Sequence, residues 1–307
     1  MIVLGTSGSG KTRNVVLPEL KQAKGSYIVN DIDGLLYQET KEYMASQGYQ
    51  IRTLNLMDAS KSVKYNPLEH VKADEEINAL IECLDANTNW DYEDPLFRGA
   101  KQGLLQVLIR YAVDYAKPKE RTLYGIYKML CDAITVEGLD EILKQHSDAP
   151  YMADYEKFRE IPLKTSDSIL LSVKVQLQVF AGEVMKEISA STDFDLTSIA
   201  EQKTVVYVIL PGTMEKESAF VSMFYEQLFR TLEALDTEPK EEIVFLMDEF
   251  ANCGIIPDFV QHANAICESK IAKILLCLQS MKELDCIYTI GEKEHLLQMA
   301  RIVDLDK

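Results

Sequence analysis

Gly5-Thr6-Ser7-Gly8-Ser9-Gly10-Lys11-Thr12 decides how the rest of this chain is read. The pattern is G-x-x-x-x-G-K-T, and it follows the apolar stub Ile2-Val3-Leu4 directly. Its glycines let successive backbone N–H groups turn inward around a phosphate. A helix is expected over residues 12–20, so the loop sits between a buried strand and a helix N-terminus whose dipole favours an anion. The alternative is a glycine-rich turn without a ligand, and the strand–loop–helix context weighs against it. Gly5, Thr6, Ser7, Gly8, Ser9, Gly10, Lys11, Thr12 and Arg13 are therefore candidates for holding a nucleotide. Lys11 would bridge the β- and γ-phosphates, and the Thr12 hydroxyl would hold Mg2+.

A second stretch, Ile243-Val244-Phe245-Leu246-Met247-Asp248-Glu249, is an apolar strand that ends in two carboxylates. Asp248 is a candidate for ordering the Mg2+ shell and Glu249 for general base toward water. A solvated acidic strand end is the competing reading, and it weakens once the stretch is paired with the loop. Gln279, at the end of the next apolar run, could sense the γ-phosphate or position water.

Outward from these anchors the chain alternates strand and helix. Strands are expected at 2–4, 26–32 and 50–56, with helices at 12–20 (Pro18 kinking or ending it) and 34–47. From about residue 67 to 190 strand signals vanish. Helices are expected at 75–84, 94–115, 122–134, 139–146 and 166–188, with Leu96, Ala100, Leu104, Leu105, Leu108 and Ala112 at helical spacing in the second. Strands return at 204–210, 243–247 and 271–278, separated by helices at 217–235 and 258–267, and the tail from 283 to 307 is expected to be helical. The fold class is α/β, with a mainly parallel central sheet and an inserted all-α domain. The expected division is 1–66 with 191–307 for the sheet domain and 67–190 for the insertion.

Bulk properties limit the options. The 307 residues suffice for one large or two ordinary domains. Thirty-two Lys+Arg against 49 Asp+Glu give a net charge of −17, which disfavours general binding of polyanions. The six cysteines form no C-x-x-C pair and no zinc spacing, so reduced thiols in the cytoplasm are expected. No apolar run approaches a membrane span, and no signal peptide precedes the loop. His70, His146, His262 and His295 read as surface or helix-end residues, and Trp90, Tyr92 and Phe97 as core or interface.

These residues together resemble the cytosolic ATPase domain of type IV secretion coupling proteins, the TraG/TraD group within the FtsK/HerA branch of RecA-like P-loop motors. GTSGSGKTRNVVLPEL is similar to the family's loop and V-V-x-P helix, KYNPLEHV to its Y-N-P-L turn, and DPLFRGAKQGLLQVLI to its D-P-F-W helix. STDFDLTSIAEQKTVVYVILP resembles the return to the core, and VFLMDEFANCGIIPDF the D-E-F-A-N-x-G-x-I-P segment, the most specific of the set. The resemblance covers residues 2–288. It implies ATP and Mg2+ at subunit boundaries of a homo-hexamer, and an N-terminal membrane anchor that places the chain at the cytoplasmic face of the cell membrane. It further implies delivery of DNA–relaxase complexes (single-stranded DNA) or effector proteins to the secretion channel at the inner membrane. By matched position Gly5 to Thr12, Asp248, Glu249 and Gln279 take the nucleotide roles, and the inserted helices the cargo.

The chain departs from the family in four places. The basic D-P-K-G position reads Asp31-Ile32-Asp33-Gly34, and Glu268 stands where an arginine usually reaches toward a neighbour's nucleotide. No anchor precedes the loop, and the end from Gly291 to Lys307 does not resemble the family's further core strand. Three functions follow as alternatives: a DNA-transfer coupling ATPase, an ATP-binding adaptor of the same family weakened or truncated to lose motor activity, and a small-molecule kinase, against which the D-E-F-A-N segment and the helical insertion weigh.

Overall fold

In the computed structural model, which describes residues 1–88, 94–212 and 217–306, seven short strands form one sheet. They are β1 (Ile2–Leu4), β2 (Ser26–Ile32), β3 (Gln50–Asn55), β4 (Thr204–Leu210), β5 (Ile243–Met247), β6 (Ala272–Leu278) and β7 (Ile302–Asp304). Every pairing is parallel, in the order β3-β4-β2-β5-β6-β1-β7. A parallel sheet is covered on both faces, which is why β4 (TVVYVIL) and β5 (IVFLM) are apolar without alternation and buried throughout. Parallel pairing also brings all C-terminal strand ends to one edge. Gly5, Asp248 and Gln279 each follow a strand at that edge, and Asp31 is the last residue but one of β2.

The sheet belongs to a unit made of Met1–Val63 and Asp193–Lys307; a second unit spans Lys64–Thr192. In the first, residues Thr12–Val16 form a wide turn in which Leu17 N–H donates to Thr12 O, and a short α-helix, Leu17–Leu20, follows. Pro18 cannot donate to the carbonyl four residues back and crowds it, and a widened turn relieves that conflict. Helices Leu35–Ser46, Ser218–Glu233 and Phe259–Glu268 complete the connections between strands.

The second unit is helical among its described residues. Asp74–Ala86, Pro95–Asp114, Leu123–Ala133, Val136–Leu143 and Leu163–Leu177 bury Leu80, Leu84, Leu104, Leu105, Leu108, Ala112, Leu130 and Val173. Lys101 is fully buried and pairs with Asp85 at 3.3 Å, while Gln102 and Gln176 donate to the same carboxylate. A buried charge is tolerated only when paired and hydrogen-bonded in this way. Among the described residues no helix is long and apolar enough to cross a membrane.

Several sequence expectations are corrected. The tail is not all helix: Lys282–Ile287 and Ile290–Met299 are helical, but Ile302–Asp304 is β7, paired with β1 from Ile2↔Ile302 to Leu4↔Asp304. The helix expected at 166–188 breaks at an extended Gly182 between a 3-10 turn and Glu183–Ile188, and Met152–Arg159 is a helix that the spacing did not announce. Leu96 stands 85% exposed, so the buried stripe of its helix begins later. His262 is buried, not a surface residue. Trp90 and Tyr92 lie outside the described residues, and Phe97 is half-buried.

Candidate functional site

β6 lies between β1 and β5, so three adjacent strand ends carry the loop, Gln279 and the Asp248–Glu249 pair. Gly5 N–H donates to Leu278 O at 3.1 Å, which ties the loop's first residue to the end of β6. Gly8 and Gly10 have φ of +82° and +90°, and a Cβ at Gly10 would come within 2.5 Å of Asn14 Nδ2. Only glycine holds such a backbone cheaply next to that contact. Ser9 Oγ is buried without a hydrogen-bond partner, a polar atom inside the curl of the loop.

The side chains singled out in the sequence converge. Lys11, 4% exposed, donates to Gly5 O at 2.6 Å and Thr6 O at 3.4 Å, and its ammonium lies 3.6 Å from Glu249 Oε1. Thr12 Oγ1 donates to Asp248 Oδ2 at 2.5 Å. Gln279 Nε2 donates to Glu249 Oε2 at 2.9 Å, and its backbone N–H donates to Glu283. Thr6, Ser7, Gly8 and Arg13 are exposed. Glu249 adopts φ +47°, a left-handed conformation uncommon for a residue with a side chain and a form of strain that collects at functional sites.

Electrostatics follow from burial. Burial raises the Asp248 carboxyl above its ordinary value, and the Glu249 charge adds to this; the Thr12 hydrogen bond opposes both. Asp31 is pushed up to about 6 by burial, against the backbone N–H groups of Tyr37 and Leu36, which it accepts at 2.7 and 2.8 Å. Asp31 thus caps helix Leu35–Ser46. The Cys277 thiol, below the loop on β6, is also raised by burial and by the Asp248 charge.

Two contributors escaped the sequence reading. Asp306, just past β7, accepts Thr6 N–H at 2.8 Å and Thr6 Oγ1–H at 3.2 Å, across 300 positions, and no local signal announces such a contact. Asn30 donates to the Asp248 carbonyl at 3.4 Å. Its signal was visible: an amide in the middle of an otherwise buried strand.

A parallel sheet with a glycine-rich phosphate loop after β1, an acid pair after β5 and one strand between them defines a RecA-like P-loop NTPase fold. A profile of the family described as Type IV secretory system Conjugative DNA transfer matches residues 1–303, and the chain belongs to that family. It is similar to Protein VirD4 of Agrobacterium fabrum (strain C58), 21% identical over 305 residues, 96% of this chain and 45% of that protein. Protein VirD4 of Rhizobium rhizogenes gives the same identity and coverage. The chain thus spans about half the length of the curated relatives it matches. Among solved structures it resembles the bacterial conjugative coupling protein TrwBdeltaN70 in a trigonal form with sulphate, at TM-score 0.72 and 15% identity, over 99% of this chain and 69% of that one. It also resembles the plasmid coupling protein TrwB in complex with ADP and Mg2+, at TM-score 0.70 and 14% identity, over 97% and 67%. At such identities the likeness shows the fold.

Proposed function

We propose that this chain binds Mg·ATP on the loop Gly5–Thr12 and hydrolyses it to drive a DNA–relaxase complex, or an effector protein, into a type IV secretion channel. The observation that carries this is the meeting of Lys11, Thr12, Asp248, Glu249 and Gln279 at three neighbouring strand ends. In this reading Lys11 and N–H groups of the glycine-rich loop hold the β- and γ-phosphates, with Arg13 at the outer lip. Thr12 and Asp248 would hold Mg2+. Mg2+ supplies neutralisation of the charge that builds on the phosphates. Glu249 takes the proton of the water whose oxygen bonds to the γ-phosphorus while the bond to the ADP oxygen breaks, and Gln279 orients that carboxylate.

The fit of the residues supports the ligand. The loop's backbone is turned inward by glycines, a buried hydroxyl lacks a partner, and the lysine and hydroxyl of the loop after β1 meet the acid pair that follows β5. Helices of the unit Lys64–Thr192, the inserted domain of this reading, recognise the cargo. The assembled form is a homo-hexamer at the cytoplasmic face of the cell membrane, with ATP between subunits.

A second reading, an ATP-binding adaptor without motor activity, is favoured by one observation. Glu268, where the family carries an arginine, is an exposed acid that ends helix Phe259–Glu268. Titration calorimetry with Mg·ATP, followed by ATPase rates with and without single-stranded DNA at several protein concentrations, separates the cases. Unchanged affinity in Lys11→Ala rejects the site. Binding with a rate indifferent to DNA and concentration selects the adaptor.

A further inference from the structure

Helix Ser218–Glu233 is buried along most of its length, and Ser222, Tyr225, Glu226, Phe229 and Glu233 form one stripe on it. That stripe grips the segment after β5 at successive points. Ser222 Oγ donates to Ile255 O at 2.7 Å, and Glu226 and Glu233 bracket His262. Between these contacts lies a closed polar knot. Tyr225 O–H donates to Asn30 Oδ1, and Asn30 Nδ2 donates to Cys253 Sγ and to the Asp248 carbonyl. Asn30, Tyr225 and Cys253 are all fully buried.

An amide in the core of a strand gains little net stability, because its bonds in the protein replace bonds to water. What it adds over an apolar residue is direction. The pairings of β5 end at Asn30↔Met247 on one side and Met247↔Leu276 on the other. The sheet therefore stops holding β5 one residue short of Asp248, and the chain then turns through the left-handed Glu249. The Asn30 amide reaches the main chain where the ladder stops.

We infer that Asn30 and Tyr225 are positioning residues for the β5 acid: Tyr225 orients the Asn30 amide, which fixes the Asp248 carbonyl and the Cys253 turn and so aims the Asp248 carboxylate at Thr12. The inference rests on the Mg·ATP reading above. It predicts that the pair matters to the metal-dependent part of nucleotide binding and not to the phosphate grip of the loop.

The test is the affinity of the full chain for a fluorescent ADP, measured with Mg2+ and with EDTA, in wild type, Tyr225→Phe, Cys253→Ser and Cys253→Val. The gain from Mg2+ is expected to fall about three- to tenfold in Tyr225→Phe and Cys253→Val, the worth of one oriented hydrogen bond. The Mg2+-free affinity stays within about twofold, and Cys253→Ser, which keeps an acceptor for the amide, retains the gain to within about twofold. A purely structural role would lower the melting temperature and leave the Mg2+ gain intact in every folded variant, and that result overturns the inference. Should Tyr225→Phe fail to fold, the Cys253 pair decides alone. Wild type that binds nucleotide without any Mg2+ gain refutes the positioning role together with the Asp248–Mg2+ assignment, and wild type that binds no nucleotide refutes the site.

Discussion

His262 offers a sharp test of how this unit is held together. Its Nε2 lies 3.0 Å from Glu226 and its Nδ1 2.7 Å from Glu233, while Arg230 shares Glu226 and Phe229 stacks on the ring at 5.7 Å. Burial pulls the imidazolium toward neutrality, but the two carboxylates overcome this and push the pKa up to about 9 from 6.5. A pKa raised on folding stabilises the protein fully below 6.5, and that contribution fades as pH climbs through 9. At roughly 1.4 kcal/mol per pH unit, the interval from 6.5 to about 9 is worth about 3 kcal/mol. His262→Gln removes the titration. Hydrogen-exchange protection of helix Phe259–Glu268, corrected for intrinsic rates, should therefore fall by about 3 kcal/mol between pH 6.5 and 9 in wild type and stay nearly level in the variant. NMR titration should place one imidazole, absent from His262→Gln, near the upper end of that window. Parallel protection profiles, or a His262 that titrates at or below 6.5, would refute the reasoning.

Other outcomes follow from the same geometry. Glu249→Gln should keep Mg·ATP affinity within a few fold by calorimetry and lose about 10²- to 10⁴-fold in phosphate release, since the proton acceptor is removed while the phosphate-binding loop is left in place. Gly10→Ala forces a φ of +90° on a side chain that also meets Asn14, so nucleotide affinity should drop more than in Gly8→Ala, whose Cβ would meet open space. In the helical unit, Lys101→Met leaves Asp85 with its two glutamine donors but no cation. A loss of about 3 kcal/mol in exchange protection of helix Pro95–Asp114 is expected, the lower end for a broken buried pair.

Much of this was legible in the sequence, and the reasons are local. β4 and β5 lie where their apolar runs do, because a strand buried on both faces cannot tolerate a polar interruption without a partner. The loop was legible because its glycines serve a backbone need that few other patterns share. β7 was not, since three residues, Ile302-Val303-Asp304, carry no periodicity and become a strand only by lying along β1. The break at Gly182 was masked by helix-forming residues on both sides of it. His262 read as a surface residue because its partners, Glu226 and Glu233, stand on another helix. Asn30 was the opposite case: its oddity showed in the run SYIVNDI, but the groups that satisfy it come from 195, 218 and 223 positions away.

The pairing of β1 has a consequence in time. Ile2 finds its partners at Leu276 and Ile302, whereas β2, β3, β4 and β5 join one another without it. At about 5–20 residues per second of synthesis, roughly 15 to 55 seconds separate the making of β1 from the making of its first neighbour. During that interval the phosphate loop leaves the ribosome attached to a strand that has nowhere to dock. The loop residues, made well before their strand's neighbours, are thus among the last to be seated, and the site forms as one of the closing acts of folding.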